Sequence, residues 1–301
     1  MTVTHKPETM GTLPRIWQFL QKPLHEKSRS FLARWTKIFP NIPLPIRLPF
    51  GAWFVARNDG LGSTLTYDGF ELAERSFVER FLQPGMTAID VGAHHGFYTL
   101  LASKRVGPTG RVIAFEPSPR EQRALRLNVR LNRCKNVNIQ GLALGDKDTD
   151  SDLYVVEGRQ TGFNSLRPPG APQPTLSVRV RVARLDSALR DAKIDRVDFI
   201  KLDVEGGELE VLHGAKELLE RRPRPLILAE LQDVRAKAWG HRAKEVAAFL
   251  QSFGFRWFRP MLGGGLADFP EDQNEYDDNL VAVPTERMEV IAEMTEHGPR
   301  S

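Results

Sequence analysis

Apolar and polar positions along this chain alternate between two periods. Short, nearly continuous apolar runs, "MTAIDVGA", "RVIAFEP", "VNIQGLAL", "VDFIKLDVEG" and "PLILAEL", read as buried strands. Segments with helical spacing lie among them: "GFELAERSFVERFLQPG", Gly96 to Arg105, Ser118 to Arg133 with Ser118 as N-cap, and "GELEVLHGAKELLERR". This alternation predicts an α/β fold, a mostly parallel sheet with helices on both faces. "LSVRVRVARL" alternates strictly and predicts a half-exposed strand, and "RPPGAPQP" before it predicts a loop. After the helical "HRAKEVAAFLQSFGF", the runs "RWFRPM" and "NLVAVP" are separated by too little chain for a helical crossover. They predict an antiparallel hairpin at the C-terminal sheet edge.

The start of the chain follows another pattern. Over residues 1–50, Trp17, Phe19, Leu20, Phe31, Leu32, Trp35, Ile38 and Phe39 are interspersed with basic residues, and prolines follow at 40, 43, 45 and 49. The spacing predicts one or two short amphipathic helices and then an extended stretch. We expect this basic arm to pack on the core; a membrane-surface or partner-binding helix is the alternative. The domain proper is expected over 51–285 and a C-terminal tail over 286–301.

Composition narrows the class. The chain has 301 residues, 41% of them hydrophobic, and a net charge of +4. That is a globular profile, too weakly basic to imply nucleic acid. The lone cysteine, Cys134, excludes an internal disulfide and a cysteine-based zinc cluster, which fits a reducing compartment. No apolar run reaches the ~18 residues of a membrane span, and the N-terminus lacks the charged-then-apolar order of a signal peptide. A cytoplasmic protein is expected.

The stretch "TAIDVGAHHGFYTLLAS" carries the first chemistry. Ligands of open α/β sheets sit beyond the carboxyl ends of the strands. Here Gly92 allows close backbone approach, and Gly96 opens a helix whose free N–H groups can receive a carboxylate or phosphate. Glu116, ending the next strand, can accept two hydrogen bonds from a ribose diol. Together these predict a nucleoside-containing cofactor. The spacing is G-x-x-x-G, not the G-x-G-x-x-G of dinucleotide sites, and Asp90 directly precedes it. An acid there suits a cation and repels a pyrophosphate. Both features favour S-adenosylmethionine over NAD.

The segments "AIDVGAHHGFYTL", "GRVIAFEPSPREQRALRLNVRLN", "LALGD", "RLDSAL" and "DFIKLDVEGGELEVLHGA" resemble the successive motifs of the FkbM family of S-adenosylmethionine-dependent methyltransferases. "DGFELAERSFVERFLQPG" and "DNLVAVP" extend the resemblance to about residues 50–284. It implies the seven-stranded class I methyltransferase (Rossmann-like) sheet with an antiparallel final strand, and O-methylation of a hydroxyl on a sugar, glycolipid or other secondary metabolite. The implied cofactor set is Asp90, Gly92, Ala93, His94, Gly96, Tyr98, Glu116, Pro117, Ala143, Asp146 and Asp203. Asp146 of "ALGD" falls where the family places the adenine. His94 stands where the family more often has Asn.

"KLDVEGGE" ends the fourth strand beside the transferring methyl. Methyl transfer to oxygen needs alignment, a dry site and removal of one proton. Asp203 and Glu205 are the candidate catalytic acids, sharing a face only if the strand continues to Glu205. Lys201 and Glu230 are weaker candidates, and His94 or His95 an alternative base. His213 reads as structural. The acidic "DFPEDQNEYDD" lacks a calcium-loop spacing, and no metal is expected. The expected partner is a small-molecule or carbohydrate acceptor, without nucleic acid; peripheral membrane contact through the arm stays open. N-methylation of an amino sugar or peptide-like acceptor, or a non-catalytic cofactor-binding scaffold, are the competing functions.

Overall fold

Extended backbone at the prolines takes the form of a hairpin. Strand β1 (Leu44–Arg47) contains Pro45 and pairs antiparallel with β2 (Trp53–Ala56), an edge position that tolerates a missing N–H. The structure is a computed structural model and describes residues 42–66, 69–168, 174–270 and 273–295. The expected helices around Trp17 to Phe39 lie outside the described residues. Ile46, Leu48 and Phe54 are buried in the main core, so packing starts before residue 51.

Helices α1 (Gly60–Thr66) and α2 (Leu72–Phe81) lead into the predicted alternation. Strand β3 (Thr87–Val91), helix α3 (Phe97–Val106), β4 (Arg111–Phe115), α4 (Pro119–Leu131) and β5 (Val137–Gln140) follow in order. "VNIQGLAL" is not one strand. After β5 the chain leaves the sheet, and β6 (Ala143–Leu144) pairs instead with β8 (Thr175–Ala183). With β7 (Thr149–Val156), these form a separate three-stranded sheet. Helix α5 (Leu185–Asp191) returns the chain to β9 (Phe199–Leu202).

The expected long helix after β9 is broken into α6 (Glu208–His213) and α7 (Lys216–Glu220). The cause is Gly214. A Cβ there would fall 2.0 Å from the carbonyl oxygen of Gly145, so the backbones of two connections touch at that point. Strand β10 (Leu226–Gln232), α8 (Asp233–Ala236) and α9 (Ala243–Ser252) precede β11 (Phe255–Pro260), β12 (Leu266–Asp268), β13 (Asp277–Pro284) and α10 (Met288–Thr295).

The main sheet has the order β12-β11-β13-β10-β9-β3-β4-β5. β10, β9, β3, β4 and β5 are parallel, and β13 runs antiparallel between β10 and β11. The expected antiparallel C-terminal edge is present. The glycine-rich connection adds β12 as an eighth strand, turning at Gly263 and Gly264, both at positive φ. The parallel strands β3, β4, β9 and β10 are buried on both faces. Ala88 and Phe199 face the α2–α3 side with Phe77 and Leu100, whereas Ile89 and Ile200 face the α6–α9 side with Val211 and Leu250. That is why the strands read as continuous apolar runs.

Residues 286–295 join this core rather than trailing from it. Ile291 and Met294 of α10 are buried, and Arg224 holds the segment through Glu286, with bonds of 2.9 and 2.5 Å from its guanidinium. That pairing draws the Glu286 carboxyl down to about 2. A depressed carboxylate stabilises the fold above its unfolded value near 4.5, and the gain is lost as pH falls toward 2. Glu286→Gln is therefore expected to lower stability by about 1–3 kcal/mol at pH 7 and by much less at pH 2.5, measured by denaturant melts at both. An equal loss at both pH values would contradict this assignment.

Candidate active site

The carboxyl ends of β3, β4, β9 and β10 open into one cavity of about 440 Å³. Its floor is the turn after β3. Gly92 has φ +81°, and a Cβ on it would lie 1.8 Å from the carbonyl oxygen of Asp203. Only glycine lets the ends of β3 and β9 come this close. The amides of Gly92 and Ala93 both donate to Phe115 O at 3.0 Å, and Gly96 N donates to Ala93 O at 2.7 Å. His94, at φ +48°, donates its amide to Glu116 Oε2 at 2.8 Å. These four amides serve the turn itself.

Two acids fix this turn. Asp90 is 4% exposed, and its Oδ2 accepts the Thr99 hydroxyl at 2.5 Å. Burial pushes its carboxyl up to about 6 against the bonds from Thr99. Glu116 accepts from His94 N and, through Oε1, from Ser118 N at 2.8 Å. Burial pushes it up to about 8. An ionised carboxylate has about four acceptor sites, so two remain for a ligand.

Beside this turn, Asp203, Glu205 and Glu230 place carboxylate oxygens within 4.8 Å of one another. β9 stops at Leu202, so Asp203 and Glu205 do not share a strand face. The chain turns instead through Glu205 (φ +58°) and Gly206 (φ +98°), and this turn brings Glu205 back toward Glu230. Lys201, 2% exposed, places Nζ 3.3 Å from Asp203 Oδ2. Burial disfavours the Lys201 charge, but Asp203, Glu71 and Glu230 outweigh it and hold the ammonium above its ordinary value. Glu205 meets Arg235 Nε at 3.0 Å; burial, then Asp203, push it up to about 8. Asp203 and burial push Glu230 up to about 10.

Of the expected residues, Asp90, Gly92, Ala93, His94, Tyr98, Glu116, Pro117, Ala143, Asp203, Glu205 and Glu230 line the cavity, as does Lys201. Gly96 does not; it caps α3, and a Cβ there would meet Leu125 Cδ1 at 2.5 Å. Asp146 does not either. β6 and Gly145 are bound to the second sheet, and Asp146 projects to solvent beyond them. His94 and His95 stack at 3.9 Å, and burial pushes both imidazoles down. His95 faces Asp59 and does not line the cavity. His213 packs edge-on against Phe249. Of "DFPEDQNEYDD", residues 271–272 lie outside the described residues, while Asp268 and Asp278 pair with Arg256 and Arg259.

Sequence reading missed four features. Glu208 accepts the amides of Val204 and Gly206 at 3.0 and 3.2 Å, so the last acid of "DVEGGE" clamps the turn. The indole of Trp239 donates to Glu205 O at 3.1 Å, and Cβ atoms on Gly206 or Gly207 would meet its ring within 2.8 Å. The paired glycines thus admit Trp239, a signal that was present in "EGG". Glu71 enters the cavity from the start of α2 and accepts the Tyr98 phenol at 2.5 Å. The 3₁₀ turn Thr161–Phe163, between β7 and β8, covers the mouth, with Thr161 Oγ1 3.1 Å from His94 Nε2.

Residues 90–257 match the family model described as the Methyltransferase FkbM domain. AMB antimetabolite synthetase AmbE of Pseudomonas aeruginosa is 26% identical over 208 residues, covering 58% of this chain. The chain spans 10% of that relative's length. The 31-O-demethyl-FK506 methyltransferase FkbM of Streptomyces tacrolimicus is 28% identical over 237 residues, covering 70% of this chain and 88% of the relative. The crystal structure of Methyltransferase FkbM from Methylobacillus flagellatus KT is 15% identical, with a TM-score of 0.42, covering 86% of this chain and 59% of that one.

The acid cluster has a stability signature. With Glu230 raised from 4.5 to about 10, the folded ligand-free chain binds more protons than the unfolded one between those values. Stability is then fully present below pH 4.5 and is lost as pH rises toward 10. Glu230→Gln removes the titrating group. It should raise stability at pH 8 by about 1–3 kcal/mol and flatten the dependence of Tm on pH. A destabilised variant with the wild-type slope would show that Glu230 is ionised in the folded protein.

Proposed function

Since the chain belongs to the FkbM family of S-adenosylmethionine-dependent methyltransferases, we propose that it methylates a hydroxyl of a sugar, glycolipid or other secondary metabolite, with Asp203 taking the hydroxyl proton. The observation that carries this reading is the meeting of Asp203, Glu205 and Glu230 at the ends of β9 and β10, with Lys201 paired to Asp203.

The cavity's chemistry fits the cofactor. Glu116 has acceptor capacity left for a ribose diol, and Phe115, Pro117, Leu142, Ala143, Leu144 and Leu153 provide an apolar wall for the adenine. When bound, S-adenosylmethionine supplies an electrophilic methyl carbon on a sulfonium and leaves as the neutral thioether. The chain must hold the acceptor, exclude water and accept one proton. Lys201 holds Asp203 in place through its ammonium, 3.3 Å from Oδ2. Glu230, protonated beside it, can donate to the acceptor or to Asp203, and Glu205 is tied to Arg235 and Trp239, which closes that side.

Oxygen is favoured over nitrogen by the same cluster. Several carboxylates around an amine hold it as an ammonium, which has no lone pair to attack with. The Streptomyces relative's name also describes a 31-O-demethyl substrate. The rim offers Phe70, Phe163 and Trp239 as flat apolar surface beside the acids, which suits a small carbohydrate or polyol acceptor.

The test is transfer of labelled methyl from S-adenosylmethionine into fractionated metabolites, with mass analysis to locate the methyl on oxygen or nitrogen. On the acceptor so found, Asp203→Asn should lower turnover by about 10²–10⁴-fold while Tm and affinity for S-adenosylhomocysteine stay near wild type. Turnover within a few-fold of wild type would remove Asp203 from the base role.

A further inference from the structure

We propose that Glu71 is the ligand of the cofactor's α-ammonium group. The proposal rests on the reading of the cavity as the S-adenosylmethionine site. It moves the cationic contact from Asp90, where the motif suggests it, to a residue on another element.

Asp90 is already committed. It is buried, its Oδ2 accepts the Thr99 hydroxyl at 2.5 Å, and it thereby ties β3 to the first turn of α3. Glu71 is differently placed. It lines the cavity, and its Oε2 accepts the Tyr98 hydroxyl at 2.5 Å. Tyr98 lies at the start of α3, just past the Gly92 turn, so this bond holds the carboxylate at the β3 end. The second carboxylate oxygen has no hydrogen bond or ion pair among the described residues.

The pairing of charges points the same way. Among the cavity acids, Asp203 is paired with Lys201 and Glu205 with Arg235. Glu230 sits against Asp203 and shares that charge environment. Glu71, Asp90 and Glu116 line the cavity without a cation in contact among the described residues; Asp90 is committed to Thr99 and Glu116 to the amides of His94 and Ser118, which leaves Glu71, reached by Lys201 only at longer range. An ammonium brings both the missing charge and N–H donors for the open oxygen. The backbone is consistent with a placed functional group. Glu71 sits at φ 43°, ψ 57°, a left-handed conformation that is unfavourable for a non-glycine residue. Burial pushes its carboxyl up in the ligand-free chain, a trend that a bound ammonium would reverse.

The test is calorimetric titration of the full chain with three nucleosides. S-adenosylhomocysteine has both amine and carboxylate, its decarboxylated analogue keeps only the amine, and methylthioadenosine has neither. Glu71→Gln should weaken the first two by at least about tenfold and leave methylthioadenosine within about twofold. Glu71→Asn, a side chain that tolerates left-handed backbone, should give the same pattern if the glutamine variant melts early. Tyr98→Phe should give a smaller loss of the same selectivity. Equal loss for all three ligands in a variant of normal Tm would make Glu71 a support of the turn and overturn the proposal. So would unchanged affinity for S-adenosylhomocysteine, or a loss confined to the ligand that has a carboxylate. Wild-type protein binding none of the three would overturn the cofactor reading and this proposal together.

Discussion

A single backbone contact sets the geometry on which everything else in this site depends. The turn at Gly92 lies so close to the carbonyl of Asp203 that a methyl group would overlap it. Because β3 and β9 meet there, the loop expected to cradle the cofactor and the turn that carries the acids line the same cavity. The second turn is packed in the same way. Gly206 and Gly207 leave room for Arg235 O and the indole of Trp239, and Glu208 gathers the amides between them. Side chains on any of these glycines would separate the two halves before they affected the sheet.

Crowded acids are the electrostatic consequence. Burial raises Asp90, Glu116 and Glu205, Asp203 and then burial raise Glu230, and Lys201 and Arg235 lie against Asp203 and Glu205. Such a site is poorly solvated without ligand, which is a stability cost that the two-sided core must offset. A sulfonium and an ammonium, both cationic, would relieve it. The dry cavity and its crowded acids thus both favour the cationic cofactor over its neutral thioether product.

Much of the architecture was legible in the sequence because the parallel strands are buried on both faces and read as unbroken apolar runs. The antiparallel edge followed from the shortness of the chain between "RWFRPM" and "NLVAVP". Boundaries set by backbone-to-backbone packing were not legible. Gly214 breaks a helix only because Gly145 lies against it, and "VNIQGLAL" divides only because β8 competes for Ala143 and Leu144. In the site, Asp203, Glu205 and Glu230 were readable as strand-end acids, although a left-handed turn rather than a shared strand face brings them together. Asp146 follows β6 and is exposed, so it does not line the cavity that Ala143 and Leu144 reach. Glu71 could not be read at all, since its significance depends on a helix cap 19 residues upstream of Asp90 folding over the turn.

The central claim, that close approach at Gly92 builds a single cofactor and methyl-transfer site, is tested most directly by titrating Gly92→Ala with S-adenosylhomocysteine. Far-ultraviolet circular dichroism on the same sample reports whether the sheet is intact. The account predicts retained secondary structure and a loss of affinity of at least about a hundredfold, because a Cβ at φ +81° would collide with the Asp203 carbonyl and push the two strand ends apart. A folded variant that binds as tightly as wild type would contradict it.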